Sequence, residues 1–124
     1  MTATGPRSFK TKWFAKAARK ALITDAELCQ AIAEVQLGQA DDLGGGVFKK
    51  RLDKNRQRSI ILARGVHYWV YEYLFAKKDR ANIDAQQLQD LRKIARAYAK
   101  LSDDQLTQLI ASEEFVEICR DDKS

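Results

Sequence analysis

The sequence predicts an α+β fold: a small antiparallel β-sheet laid out as a meander, with two N-terminal helices and C-terminal helices packed on it. Three observations lead there. Apolar residues alternate, or run in short β-branched and aromatic stretches, only between Val47 and Ala76. The segments on either side repeat their apolar residues at helical spacing, behind residues suited to cap a helix start. Finally, 124 residues with 45% hydrophobic content, one proline and no repeat or linker are enough for one core and offer no domain boundary.

The elements follow in order. Ser8 to Lys12 reads as a short extended segment after a disordered leader, residues 1–7. Trp13 to Leu22 (WFAKAARKAL) reads as an alanine-rich helix with Trp13, Ala17, Ala21 and Leu22 facing inward. Thr24 with Glu27 is a capping box for a second helix, whose inward stripe is Leu28, Ile32 and Val35 and whose end suits Gly38. Gln39 to Asp42 is a polar turn, and Gly44 to Gly46 a flexible lead-in to the first strand, since they lack the spacing and the Lys-Ser or Lys-Thr of a phosphate loop.

In that strand Phe48, Lys50 and Leu52 alternate against Val47, Lys49 and Arg51. Arg58 to Arg64 and Tyr68 to Ala76 are the second and third strands, joined by the turn Gly65 to His67. The third is apolar on both faces, Trp69, Tyr71, Tyr73 and Phe75 against Val70, Leu74 and Ala76, so it is expected in the centre, covered on both sides. Asp84 with Gln87 opens a helix carrying Leu88, Leu91, Ile94 or Ala95, and Tyr98; Ser102 with Gln105 opens a shorter one carrying Leu106, Leu109 and Ile110. Phe115 to Cys119 fits strand or helix, within an acidic C-terminal extension, residues 102–124.

Charge is uneven along the chain. Lys49 to Arg58 holds six basic residues against Asp53, a surplus of +5 that equals the whole chain's. Such a field holds polyanions, nucleic acid foremost. In a meander the end of the first strand, the start of the second and the end of the third share one edge. Arg51, Lys54, Arg56 and Arg58 therefore meet Lys77, Lys78 and Arg80 there, while His67 lies roughly 20 Å away at the opposite edge and is left out of the site. Cys29 and Cys119 are far apart and form no metal or redox motif, so they are expected as reduced, structural or incidental thiols of a cytoplasmic chain. No apolar run approaches the roughly 18 residues that cross a bilayer, and no membrane partner is expected.

The same order of elements, with FKTKWFAKAARK (Phe9 to Lys20), LGGGVFKKRL (Leu43 to Leu52), RSIIL (Arg58 to Leu62) and YLFAKKDRANI (Tyr73 to Ile83), resembles the toxins of the RelE/ParE superfamily, especially the HigB-like branch of RelE toxins. The resemblance implies a RelE-like fold and a toxin of a type II toxin-antitoxin system. It further implies an endoribonuclease, or mRNA interferase, that cuts messenger RNA at the ribosome without metal or other cofactor. Its partner would be a cognate antitoxin, a small helix-turn-helix protein. Carried over residue by residue, the catalytic cluster is Lys49, Arg51, Arg58 and Lys77, with Lys50, Lys54, Arg56, Lys78 and Arg80 binding RNA around it. Alternation points Lys50 to the other face.

The chemistry is consistent with those residue types. Cleavage of RNA by its own 2′-hydroxyl needs a base, an acid for the departing 5′-oxygen, and positive charge around the phosphorane. Arginine forks supply the charge, and a lysine crowded by other cations, Lys49 or Lys77, is the expected base. No residue stands out as the acid: the branch's glycine-rich stretch and terminal tyrosine or histidine have no counterpart, and the connection before Arg58 is only Asp53 to Gln57. A ParE-like inhibitor of DNA gyrase and a noncatalytic nucleic-acid-binding protein are the alternatives.

Overall fold

The computed structural model describes residues 7–64, 68–80 and 82–120. The expectations for residues 1–6, for His67 and its turn, and for the last four residues of the tail lie outside that range. The chain is α+β, and the described residues form four helices and a six-stranded, mostly antiparallel sheet in the order β2-β3-β4-β5-β1-β6. The elements are β1 (Arg7–Thr11), α1 (Lys12–Lys20), α2 (Asp25–Gln36), β2 (Asp41–Gly44), β3 (Val47–Leu52), β4 (Gln57–Arg64), β5 (Tyr68–Ala76), α3 (Ala85–Ala99), α4 (Asp103–Ala111) and β6 (Phe115–Ile118).

The predicted meander is β3-β4-β5, and three further strands widen it. Arg7, expected in a disordered leader, opens β1, which runs parallel to β5 and antiparallel to β6. Phe115 to Ile118 thus resolves as strand, and the acidic extension returns to the sheet, where Arg7 forks onto Glu117 at 2.7 and 2.8 Å. That pair holds the Glu117 carboxyl below its usual range, the Arg7 hydrogen bond being the main cause. Asp41 and Asp42, expected in a turn, form strand β2, and the three glycines are the tight link to β3, all at positive φ. Gly45 could not carry a side chain: a Cβ there would lie 2.8 Å from Cγ of Arg92.

Helices cover both faces. α1 and α2 bury Phe14, Ala18, Leu28, Ile32 and Val35 against Leu52, Ile61, Tyr71 and Leu74, and Tyr71 donates its hydroxyl to the Leu28 carbonyl at 2.7 Å. Burial pushes the Tyr71 hydroxyl well above its ordinary titration range. On the other face α3 buries Leu91 and Ala95 against Val47, Ile60, Leu62 and Phe75, and α4 closes the end over Phe9 and Val70 with Leu106. Asp84 with Gln87 and Ser102 with Gln105 form the two reciprocal capping boxes that their spacing predicts. Thr24 caps α2, but Glu27 does not close a box: its carboxylate accepts from the Asp53 amide and braces the turn after β3.

Three expectations are corrected. The inward face of α1 is Phe14, Ala15 and Ala18, while Trp13 and Leu22 are exposed. The short helix packs on the sheet through residues between those of the predicted stripe, because Leu22 lies past the helix end at φ 61. Cys29 and Cys119 are not free thiols but a disulfide with Cα atoms 5.3 Å apart. Closure of β6 brings Cys119 back beside α2 over a separation of 90 residues, which no local motif announces. The third correction concerns β5. Ile60 pairs with Tyr73 but Ile61 with Tyr71, so Glu72 is the extra residue of a β-bulge. Trp69 and Tyr71 therefore join Leu74 under α1 and α2, whereas Tyr73 and Phe75 turn to the face of α3. Burial raises the Glu72 carboxyl's titration, opposed by a 2.7 Å hydrogen bond that Tyr98 donates.

Candidate nucleic-acid interface

The bulge decides what surrounds the basic residues. Arg51 lies directly opposite Arg58 in the β3-β4 ladder, and Arg58 opposite Phe75 in the β4-β5 ladder. Cross-strand partners share a face, so both arginines and Phe75 point the same way, with Lys49 one alternation back along β3. The ladder runs one step further, where the Lys77 amide donates to the Arg56 carbonyl at 2.9 Å. Lys49, Arg51, Arg58 and Lys77 are thus gathered at one end of the sheet by three strands.

The rim comes from the turn between β3 and β4. Asp53, Lys54 and Asn55 take left-handed conformations in succession, with φ of 53, 52 and 73°, which Asp and Asn tolerate better than Lys. The turn folds back onto Arg58, whose Nη1 donates to the carbonyls of Asn55 at 3.0 Å and Gln57 at 3.4 Å. Arg58 is consequently 7% exposed, held in place with Nε and Nη2 left over. A cavity of about 630 Å³ opens beside this turn, lined by Asp53, Lys54, Arg56, Ala76, Lys77 and Lys78 among others; of Lys49, Arg51, Arg58 and Lys77, Lys77 alone lines it.

The acids around this pole are few. Asp53 pairs with Arg56 at 3.1 Å, and Asp41 lies 3.6 Å from the Lys49 ammonium. Among the described residues Arg51, Lys54, Lys77 and Lys78 make no ion pair. Asp53 is the one acid that shares the cavity with Lys54, Lys77 and Lys78, and the surplus of positive charge favours a polyanionic ligand.

Two expected RNA contacts are placed otherwise. Lys50 is on the opposite face, where its ammonium bridges Glu34 of α2 at 2.8 Å and the Gln39 carbonyl at 2.9 Å. Strand alternation requires this placement, and the ammonium ties β3 to α2. Arg80 is drawn toward α3, donating to Gln87 at 2.6 Å and lying 5.9 Å over the Phe75 ring. The Lys50 hydrogen bond, with that from Gln30, keeps the Glu34 carboxyl below its ordinary range. Lys50→Met is therefore expected to lower the unfolding midpoint by roughly a few degrees near neutral pH. A folded-state carboxyl titrating below its unfolded value stabilises only above it, so the deficit should vanish as pH falls through Glu34's titration. Thermal melts across pH, with RNA binding unchanged at neutral pH, check this.

Sequence reasoning weighed Phe48, Tyr73 and Phe75 as base-stacking aromatics but read them as core, and grouped Tyr73 and Phe75 with Trp69 and Tyr71, because the bulge that separates the two pairs has no signal in the residues themselves. It also missed the partners Asp41 and Glu34, which only the pairing of β2 and the packing of α2 reveal.

No curated protein matches the chain in sequence. A family model described as "RelE toxin of RelE / RelB toxin-antitoxin system" matches residues 6–118. That span takes in every strand and helix from β1 to β6, including the returning acidic segment. The chain belongs to the RelE toxin family, the toxin component of toxin-antitoxin systems, and has an antitoxin as its cognate partner.

Proposed function

We propose that this toxin is an endoribonuclease that cuts messenger RNA at the ribosome, as a HigB-like member of its family, with Lys49, Arg51, Arg58 and Lys77 as its catalytic residues. The observation that supports the reading best is the cross-strand pair Arg51 and Arg58 beside Lys77, three cations from three strands around one end of the sheet.

RNA bends so that the 2′-oxygen attacks the adjacent phosphorus while the bond to the 5′-oxygen breaks. The 2′ proton goes to a base and the departing 5′-oxygen receives one. Arg51 and the free Nε and Nη2 of Arg58 are placed to bind the non-bridging oxygens, where charge accumulates in the phosphorane. Arg58 arrives oriented, because the turn carbonyls already hold its other nitrogen. Of the two candidate bases Lys77 is the better placed, since Lys49 is engaged with Asp41. Lys54, Arg56 and Lys78 line the cavity along which the strand would continue.

Primer extension on cellular mRNA after a brief pulse of expression tests the proposal. Breaks phased with codons are expected; intact messages with growth still arrested would refute it and favour gyrase inhibition or binding without cleavage.

A further inference from the structure

Beside the basic pole lies a second concavity that the catalytic reading does not use. β1 pairs with β5 only as far as Tyr71, because the chain turns into α1 at Lys12. The outer edge of β5 beyond that point is therefore left to face α1 across a groove of about 540 Å³. Trp13, Lys16 and Lys20 line it from the helix, Tyr73 and Phe75 from the strand, and Arg80 from the turn that follows. Trp13, with Ala17 and Ala21 that also line the groove, belongs to the α1 stripe that sequence periodicity assigns to the core.

The rings are arranged as a stack. Trp13 lies on Tyr73 with centroids 5.2 Å apart and planes 25° from parallel, and Tyr73 adjoins Phe75 at 5.9 Å. Trp13 is nevertheless 52% exposed. Around the rings stand three cations, Lys16, Lys20 and Arg80, against the single acid Asp79. An exposed, preset aromatic face ringed by cations is what an unstacked nucleobase and its phosphates require. The groove also touches the cationic cavity that Lys77 lines, because Gln57 and Ala76 line both. A strand held at the pole reaches the rings across Gln57 and Ala76, the residues that the two concavities share.

We infer that this groove takes a base of the single-stranded RNA next to the scissile phosphate, stacked on Trp13. The inference rests on the reading above in that RNA is the ligand, but it concerns binding and not bond cleavage. The unpaired edge of β5 would also accept an extended peptide such as an antitoxin segment. The exposed Trp13 ring, backed by Tyr73, and the shared lining with the cationic cavity favour the nucleotide.

The test titrates the purified toxin with a short, fully 2′-O-methylated and hence uncleavable oligonucleotide, and with an abasic strand of equal length. The base-bearing strand should quench tryptophan emission in the wild type but not in Trp13→Ala, and should bind that variant roughly tenfold more weakly. Abasic strand on wild-type protein should show the same weakness, which keeps the result independent of how well the variant folds. Trp13→Phe should restore most of the affinity. Equal binding of both strands without quenching would overturn the inference. So would a Trp13→Ala variant that loses affinity for the antitoxin alone, which would give the groove to the peptide. Quenching by the uncleavable strand, with no cut in ribosome-bound messenger RNA by the same toxin, would sink the nuclease and leave the groove standing.

Discussion

Arg58→Lys is expected to lower RNA cleavage by about 10²- to 10³-fold and to relieve growth inhibition, the effect typical of removing one preorganised donor from a developing oxyanion. Lysine retains the charge but not the fork, and the fork matters here. One arm of the guanidinium is committed to the carbonyls of Asn55 and Gln57, and in the proposed mechanism the remaining nitrogens hold the phosphate while that arm stays fixed. Arg58→Ala is a poorer probe. The side chain is 7% exposed and satisfies two carbonyls, so its removal should cost about 1–3 kcal/mol of stability in addition to activity. Cleavage rates of the lysine variant, with chemical unfolding as the control, check the expectation. A stable variant cutting at the wild-type rate would remove Arg58 from the mechanism.

The second large effect is on stability. Cys29 and Cys119 close a loop across 90 residues, and the chain-entropy estimate for such a loop is roughly 4–5 kcal/mol. Cys29→Ser should lose up to that amount in denaturant unfolding without reductant, and the wild type should fall to the variant's level once reductant is added. Equal stability of the two proteins in both conditions would mean that the bond does not constrain the chain. Neither cysteine lines the cationic cavity, so cleavage well below the unfolding transition should be unaffected.

How much of this was legible in the residues depends on how local the signal is. The capping boxes at Asp84 and Ser102 act within four residues, and the structure has both as read. Alternation placed Lys49 and Arg51 together and turned Lys50 away, because pleat geometry needs no knowledge of the partner strand. The convergence of Arg58 with Lys77 followed from meander topology alone. What failed was long-range or irregular. The parallel pairing of β1 with β5, and the return of β6 to β1, link ends of the chain whose sequences do not mark each other. The disulfide is a consequence of that closure. The bulge at Glu72 reversed the alternation of β5, so Tyr73 and Phe75 were assigned to the wrong face. In α1 the stripe was read on the wrong residues: Phe14, Ala15 and Ala18 are the buried ones, while Trp13, Ala17 and Ala21 line a groove, the two alanines also touching the core.

The antitoxin's seat belongs to the same physics. A pole with this much uncompensated charge invites acidic segments as well as RNA, so neutralisation by direct occlusion of the cationic end is consistent with the geometry.

The most direct measurement uses two RNA strands that differ by one oxygen. With purified toxin, under conditions where the all-ribose strand is cut, the account predicts a 2′,3′-cyclic phosphate on one product and a 5′-hydroxyl on the other. A single 2′-deoxy substitution at the cleaved position should leave the strand intact. Cleavage of the deoxy-substituted strand at an equal rate, or products bearing a 5′-phosphate, would contradict it.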